Sequence, residues 1–173
     1  MKKIMVIGVS AGVGKSTFAK KLGRILNINV YHLDQLYWKA NWQEASFEEF
    51  CIKQAQLVKS ESWIIEGNYS DTFSIRENEA DTIIYLQLPL YICVYRVFAR
   101  FLQHRGTSRP DMTSDCPEKL DWPFLSFILT TYHKRKLAMV SYLEEQAKTK
   151  HVIILKSRKE VHLFLNNIKI TDS

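Results

Sequence analysis

Apolar residues follow two rhythms along the 173-residue chain. Residues 2–8 (KKIMVIG) are apolar almost without alternation, the pattern of a strand buried on both faces. From Lys15 to about Leu26 the spacing lengthens, with Phe18, Leu22 and Ile25 recurring as on one helical face. The two rhythms then alternate. INVYHLD (28–34), SWIIEG (62–67), DTIIYLQLP (81–89, closed by Pro89) and HVIILKS (151–157) predict four more strands. Ser46 and Glu49 have capping-box spacing ahead of a helical face of Phe47, Phe50, Cys51, Leu57 and Val58. A helix is expected from about Leu90 to His104, then a turn-rich piece over 105–117, then mainly helix over 118–148. Ser157 and Glu160 form a second capping box ahead of a closing helix through about residue 167. Such alternation predicts parallel strands joined by right-handed crossovers and covered on both faces, an α/β sandwich.

The length suits a single domain over 1–173 with a proper core. At 46% apolar residues the chain is not wholly disordered, yet no apolar run approaches the roughly 20 residues that cross a bilayer. No membrane partner is therefore expected. The start, MKKIMVIGVS, looks superficially like a secretory signal. Its apolar stretch is too short, and glycine and lysine follow where a cleavage site belongs, so it reads as the first strand of a cytoplasmic protein. Cys51, Cys93 and Cys116 are odd in number and far apart, which supports neither disulfides nor zinc. A net charge of +6 permits polyanion binding without singling out nucleic acid.

Between the first strand and the first helix stands GVSAGVGKST, residues 8–17. A glycine-rich turn there lets backbone amides of Gly12, Val13, Gly14, Lys15, Ser16 and Thr17 converge on an anion, helped by the helix N-terminus. Lys15 can neutralise β- and γ-phosphates, and the Ser16 hydroxyl can ligate Mg²⁺. The pattern G-x-x-x-x-G-K-[ST] is met with one departure: position 9 is valine, and the first glycine falls one place early, at Gly8. The ligand implied is ATP with Mg²⁺.

The remaining residues narrow the class. A switch GTPase needs an N-K-x-D stretch, which is absent, and an efficient ATPase usually ends an apolar strand in an acid, where this chain has Gln87. A small-molecule kinase tolerates that loss, because transfer rests on lysine, arginines and the metal. Arg96 and Arg100 lie four apart on one helix and share a face, with Arg105, Arg109 and Arg135 following. Either they clamp a transferring phosphoryl group or they form a solvated basic face. Acceptor residues are sought at the carboxyl ends of the strands. Asp34 there could accept a hydroxyl proton, hold a sugar hydroxyl, reach Mg²⁺ through water, or merely cap a turn. Glu66, Gly67, Asn68 and Tyr69 occupy a second such end. Trp38 and Trp42 either stack on a ring or belong to the core, and Arg76 either binds an acceptor phosphate or is solvated.

The ordered set GKST, HLDQLYW with Trp42, WIIEGNY with Arg76, ADTIIYLQLP and RVFAR resembles the adenylate-kinase-related family of DNA topology modulation proteins over roughly 3–157. More distantly the layout is similar to nucleoside monophosphate kinases. That resemblance implies a three-layer P-loop NTPase fold with a five-stranded parallel sheet of order 2-3-1-4-5. It also implies an acceptor-binding region over about 34–78 and a lid over about 104–117. It makes Arg96 and Arg100 the paired arginines that contact ATP and the transferred phosphate, and 156–158, with Ser157, the loop against adenine. EGNY stands where adenylate kinases carry Asp-Gly-Phe-Pro-Arg, and the lid has no zinc-binding cysteines. The expected activity is Mg-ATP-dependent phosphotransfer to a nucleotide, nucleoside or similar small acceptor. In that reading Lys15, Arg96, Arg100, Arg105 and Asp34 do the chemistry. The rival is an ATP-binding regulator that binds DNA and modulates its topology.

Overall fold

The computed structural model describes residues 1–107, 112–118 and 120–171. Along the first half run β1 (Lys3–Gly8), α1 (Lys15–Leu26), β2 (Val30–His32), α2 (Leu33–Tyr37), β3 (Trp38–Lys39), β4 (Gln43–Glu44) and α3 (Phe47–Leu57). The second half holds β5 (Trp63–Glu66), α4 (Phe73–Glu77), β6 (Thr82–Leu86), α5 (Leu90–Gln103), α6 (Trp122–Gln146), β7 (His151–Leu155) and α7 (Arg158–Thr171).

Five strands form one parallel sheet in the spatial order β2-β5-β1-β6-β7. Counted along the chain without the small β3–β4 hairpin, that is 2-3-1-4-5, as the resemblance implied. Central strands must be apolar on both faces, and Ile4–Ile7, Trp63–Ile65 and Ile83–Leu86 are all buried. Right-handed crossovers then decide the layers. On one face α1 meets α7, with Phe18 and Phe164 stacked at 6.1 Å. On the other α4 meets α6, with Phe73 and Tyr142 at 5.5 Å and the Tyr142 hydroxyl donating to Glu77 at 2.7 Å.

The register carries function. Val6 and His32 both pair with Glu66, and Gly8 pairs with Leu86, so the carboxyl ends of four strands reach one level. The loops that leave them share a rim, the ligand-binding edge of an open parallel sheet.

Three local expectations change. The second strand stops at His32, and Asp34 sits in the first turn of α2 rather than at a strand end. The chain then adds the β3–β4 hairpin, through Asn41 and Trp42 at φ of 61° and 60°. On α3 the buried face is Phe50 with Gln54, while Phe47 points outward. Ser46 sets that phase by accepting from Glu49 N at 3.1 Å. Gln54 tolerates burial because it donates to Phe50 O at 3.3 Å and accepts from Thr72 Oγ1 at 3.2 Å.

Candidate active site

The loop after β1 is built around two glycines in the left-handed region, Gly12 at φ 73° and Gly14 at φ 100°. Side chains are excluded there on a second count. A Cβ on Gly12 would lie 2.2 Å from Cys93 O, and one on Gly14 would lie 2.7 Å from Arg96 Nη1. The valine at position 9 breaks nothing, because Val9 N still donates to Leu86 O at 2.9 Å and extends the sheet. Helical bonding starts with Phe18 N to Gly14 O at 3.0 Å. Lys15, Ser16 and Thr17 thus present amides that no helical turn can satisfy. A cradle of this build fits a phosphate chain.

Cations gather on the same wall. Lys15, Arg96, Arg135 and Arg158 all line a cleft of about 1450 Å³. Arg96 Nη1 donates to Val13 O at 2.8 Å, which fixes its guanidinium beside the loop. Burial, then the like charge of Arg158, lowers the pKa of Arg96, and burial lowers that of Arg135, whose guanidinium lies 4.5 Å over the Phe127 ring. Like charges held together in a partly desolvated cleft gain from a polyanion between them.

Asp34, Trp38, Trp42 and Tyr69 line the same cleft. The Tyr69 hydroxyl donates to Asp34 Oδ1 at 2.8 Å. Burial, reinforced by the charge of Asp34, holds that hydroxyl well above its ordinary pKa, so it stays a donor. Trp38 and Trp42 meet edge to face at 5.3 Å, and Trp42 Nε1 donates to Pro117 O at 3.2 Å. These tryptophans form a wall of the cleft, whereas Tyr37 packs inward against Phe50 at 5.2 Å.

The 66–69 run mainly builds the loop. Glu66 Oε1 lies 2.6 Å from His32 Nδ1, both nearly buried. Asn68 grips the base of the phosphate loop with both ends of its amide, accepting from Gly8 N at 2.9 Å and donating to Gly8 O at 2.8 Å. Gly67, at φ 144°, passes close to Leu33. Arg76 is corrected by the structure. It is fully buried beneath the loop, donating to Gly67 O at 3.0 Å and Tyr69 O at 2.9 Å, with its charge over Phe73. Burial takes its pKa down to about 10. A side chain so enclosed holds the loop 67–69 from beneath and is closed to a phosphate.

Two further expectations are corrected. Ser157 spends its hydroxyl on the α7 cap, accepting from Glu160 N at 3.1 Å and donating to Glu160 Oε1 at 3.0 Å. Arg158, Val161 and His162, not Ser157, face the cleft. Arg105 is exposed just past α5 and stands outside the cleft wall, and Arg109 lies outside the described residues. Arg100 does reach the wall, joined to the buried Glu118 through Nε and Nη2 at 2.7 Å each. Glu118, Arg158 and His162 carry no sequence signal, since each lies in an ordinary polar stretch that only folding brings to the rim. The backbone N–H of Gln87 donates to Leu155 O at 2.9 Å and extends the pairing of β6 with β7. The described part of 104–117 is docked on the β3–β4 hairpin, where Thr113 Oγ1 donates to Trp38 O at 2.5 Å and Asp115 O accepts from Asn41 N at 3.0 Å.

No protein-family model and no curated protein sequence matches the chain. Solved structures do. A shikimate kinase from Acinetobacter baumannii, in complex with shikimate, aligns with a TM-score of 0.54 at 13% identity, over 97% of this chain and 90% of that one. A shikimate kinase from Bacteroides thetaiotaomicron aligns at 0.54 and 18% identity, over 97% and 96%. An uncharacterized protein from Eubacterium ventriosum aligns at 0.53 and 20%, over 98% of both chains. The chain, an α/β sandwich with a five-stranded parallel sheet, shares its fold with these shikimate kinase structures.

Proposed function

We propose that this protein is an Mg-ATP-dependent phosphotransferase acting on a nucleotide, nucleoside or similar small hydroxylated acceptor. The observation that carries the reading is one cleft lined both by a phosphate cradle and by the Asp34–Tyr69 pair. ATP bound with Mg²⁺ would supply the transferable group and the cation that neutralises it. The amides of 12–17, Lys15 and Arg96 hold the phosphate chain, and the Ser16 hydroxyl is the chain's ligand for the metal. Asp34 takes the acceptor hydroxyl proton, with Tyr69 orienting its carboxylate. Trp38 and Trp42 wall in the acceptor, and Arg100 stabilises the moving charge from the α5 side. The ordered motifs support a place among the adenylate-kinase-related DNA topology modulation proteins, and the fold of the shikimate kinases supports kinase chemistry on a small molecule.

The test is ADP release with magnesium and ATP across nucleotides, nucleosides and small hydroxylated metabolites, shikimate included. At least one acceptor should raise turnover well above hydrolysis in water. Lys15→Ala should lower that rate by about 10²–10³-fold, the scale of losing one aimed charge-stabilising group. An unchanged rate in the variant, or no acceptor in the screen, would falsify the proposal.

A further inference from the structure

The outer face of α5 is unlike the rest of the surface. Tyr91, Tyr95, Phe98 and Leu102 project from it, exposed by 73%, 65%, 51% and 59%. Their spacing of four, three and four is the a/d seam of a coiled coil. The only charged residues in α5, Arg96 and Arg100, are turned inward to Val13 and Glu118. Beside the seam, α6 has no charged residue from Trp122 to His133, and Leu125 and Leu129 form an apolar groove with Tyr91, Tyr95 and Phe98. In a chain that is 24% charged, this is the composition of an interface core: aromatic-rich and charge-free.

We infer that this face pairs with a second copy of the chain, α5 antiparallel to α5 about a two-fold axis. Spacing favours that occupant. The 4-3-4 pattern is symmetric about a point between Tyr95 and Phe98. A two-fold there sets Tyr91 against the partner subunit's Leu102 and Tyr95 against the partner subunit's Phe98, so the face complements itself. No like charges meet across the seam, although each copy carries +6 overall. Area points the same way. At about 200 Å² per aromatic side chain, Tyr91, Tyr95 and Phe98 alone expose about 380 Å². That is already the size of the largest patch a monomer leaves bare, about 300–600 Å². Leu102 and Leu129 carry the face toward the roughly 800 Å² per partner of a standard interface. This inference is independent of the catalytic reading.

Light scattering behind size exclusion, on the full chain without ligand, decides it. The expected mass at micromolar loading is twice the 20.3 kDa of one chain. Phe98→Glu should halve that mass while leaving the circular dichroism spectrum unchanged. Tyr91→Lys, at a more exposed position, should do the same and serves if Phe98→Glu does not fold. Phe47→Glu, on the exposed side of α3, should leave the dimer intact. A wild-type monomer would overturn the inference, as would a dimer that survives both seam variants. So would a monomer that floats with anionic phosphatidylglycerol vesicles through these same residues, since the face would then serve a membrane surface.

Discussion

Asp34 and Tyr69 come from separate runs of the chain and meet at 2.8 Å. Their division of labour can be separated by substitution. Asp34→Asn keeps the shape and removes the proton acceptor, so kcat should fall by about 10²–10⁴-fold with ATP affinity unchanged. Tyr69→Phe removes only the bond that aims the carboxylate, and should cost about tenfold in kcat, equivalent to one hydrogen bond of about 1.4 kcal/mol. Steady-state kinetics together with nucleotide titration would check both. A fall in ATP affinity with normal kcat would assign Asp34 to the metal–nucleotide side instead. The phosphate loop was legible because two glycines and a lysine between a buried strand and a helix have few other uses, whereas Asp34, expected at a strand's end, stands in the first turn of α2. Arg76 was misread. An arginine in a helical turn carries no mark that says whether it faces solvent or a loop's carbonyls.

At the scale of elements, the loop 67–69, proposed to meet the acceptor, hangs from two supports, Asn68 on the phosphate loop and Arg76 beneath. The loop therefore couples the two halves of the cleft mechanically. Arg76→Met should preserve the volume but take the buried donor from the Gly67 carbonyl, while Tyr69 O keeps Thr72 N and Oγ1 at 3.2 Å, costing about 1–3 kcal/mol in urea unfolding. The folded fraction should show a raised KM for the acceptor with little change for ATP. An arginine that served as an anion site would instead leave stability intact. Long elements were readable: α1 and α5 begin at the residues that periodicity marks. The short helix α2 and the two-residue hairpin β3–β4 were not, because so few residues carry no period to detect.

For the whole molecule, the cradle and the cation wall make nucleotide binding a stability term. Mg-ATP at a hundred times its dissociation constant should add about 2.7 kcal/mol and raise the midpoint of thermal unfolding by several degrees. Gly12→Ala should abolish that rise and lower the midpoint itself, since the new methyl meets Cys93 O at 2.2 Å in a backbone region hostile to side chains. Differential scanning fluorimetry with and without the nucleotide would read both effects. An equal rise in the variant would mean that the loop does not hold the phosphates. Of the cations that first left open a nucleic-acid partner, Lys15, Arg96, Arg135 and Arg158 line the cleft, together with acids such as Asp34, Glu66 and Glu118.

From the sequence alone came the alternating strands and helices, the sheet order through family resemblance, and the phosphate loop. All three depend on local rules: apolar period, glycine at left-handed turns, and lysine beside them. Tertiary structure decided which charged groups face the cleft and which are consumed in holding it. Ser157 went to a helix cap and Arg76 to the floor of a loop, Arg100 reached the cleft wall paired with Glu118, and Arg158 and Arg135 came in from distant helices. Side-chain partners of this kind are chosen by packing across long sequence separations, and a string of residues does not record those distances.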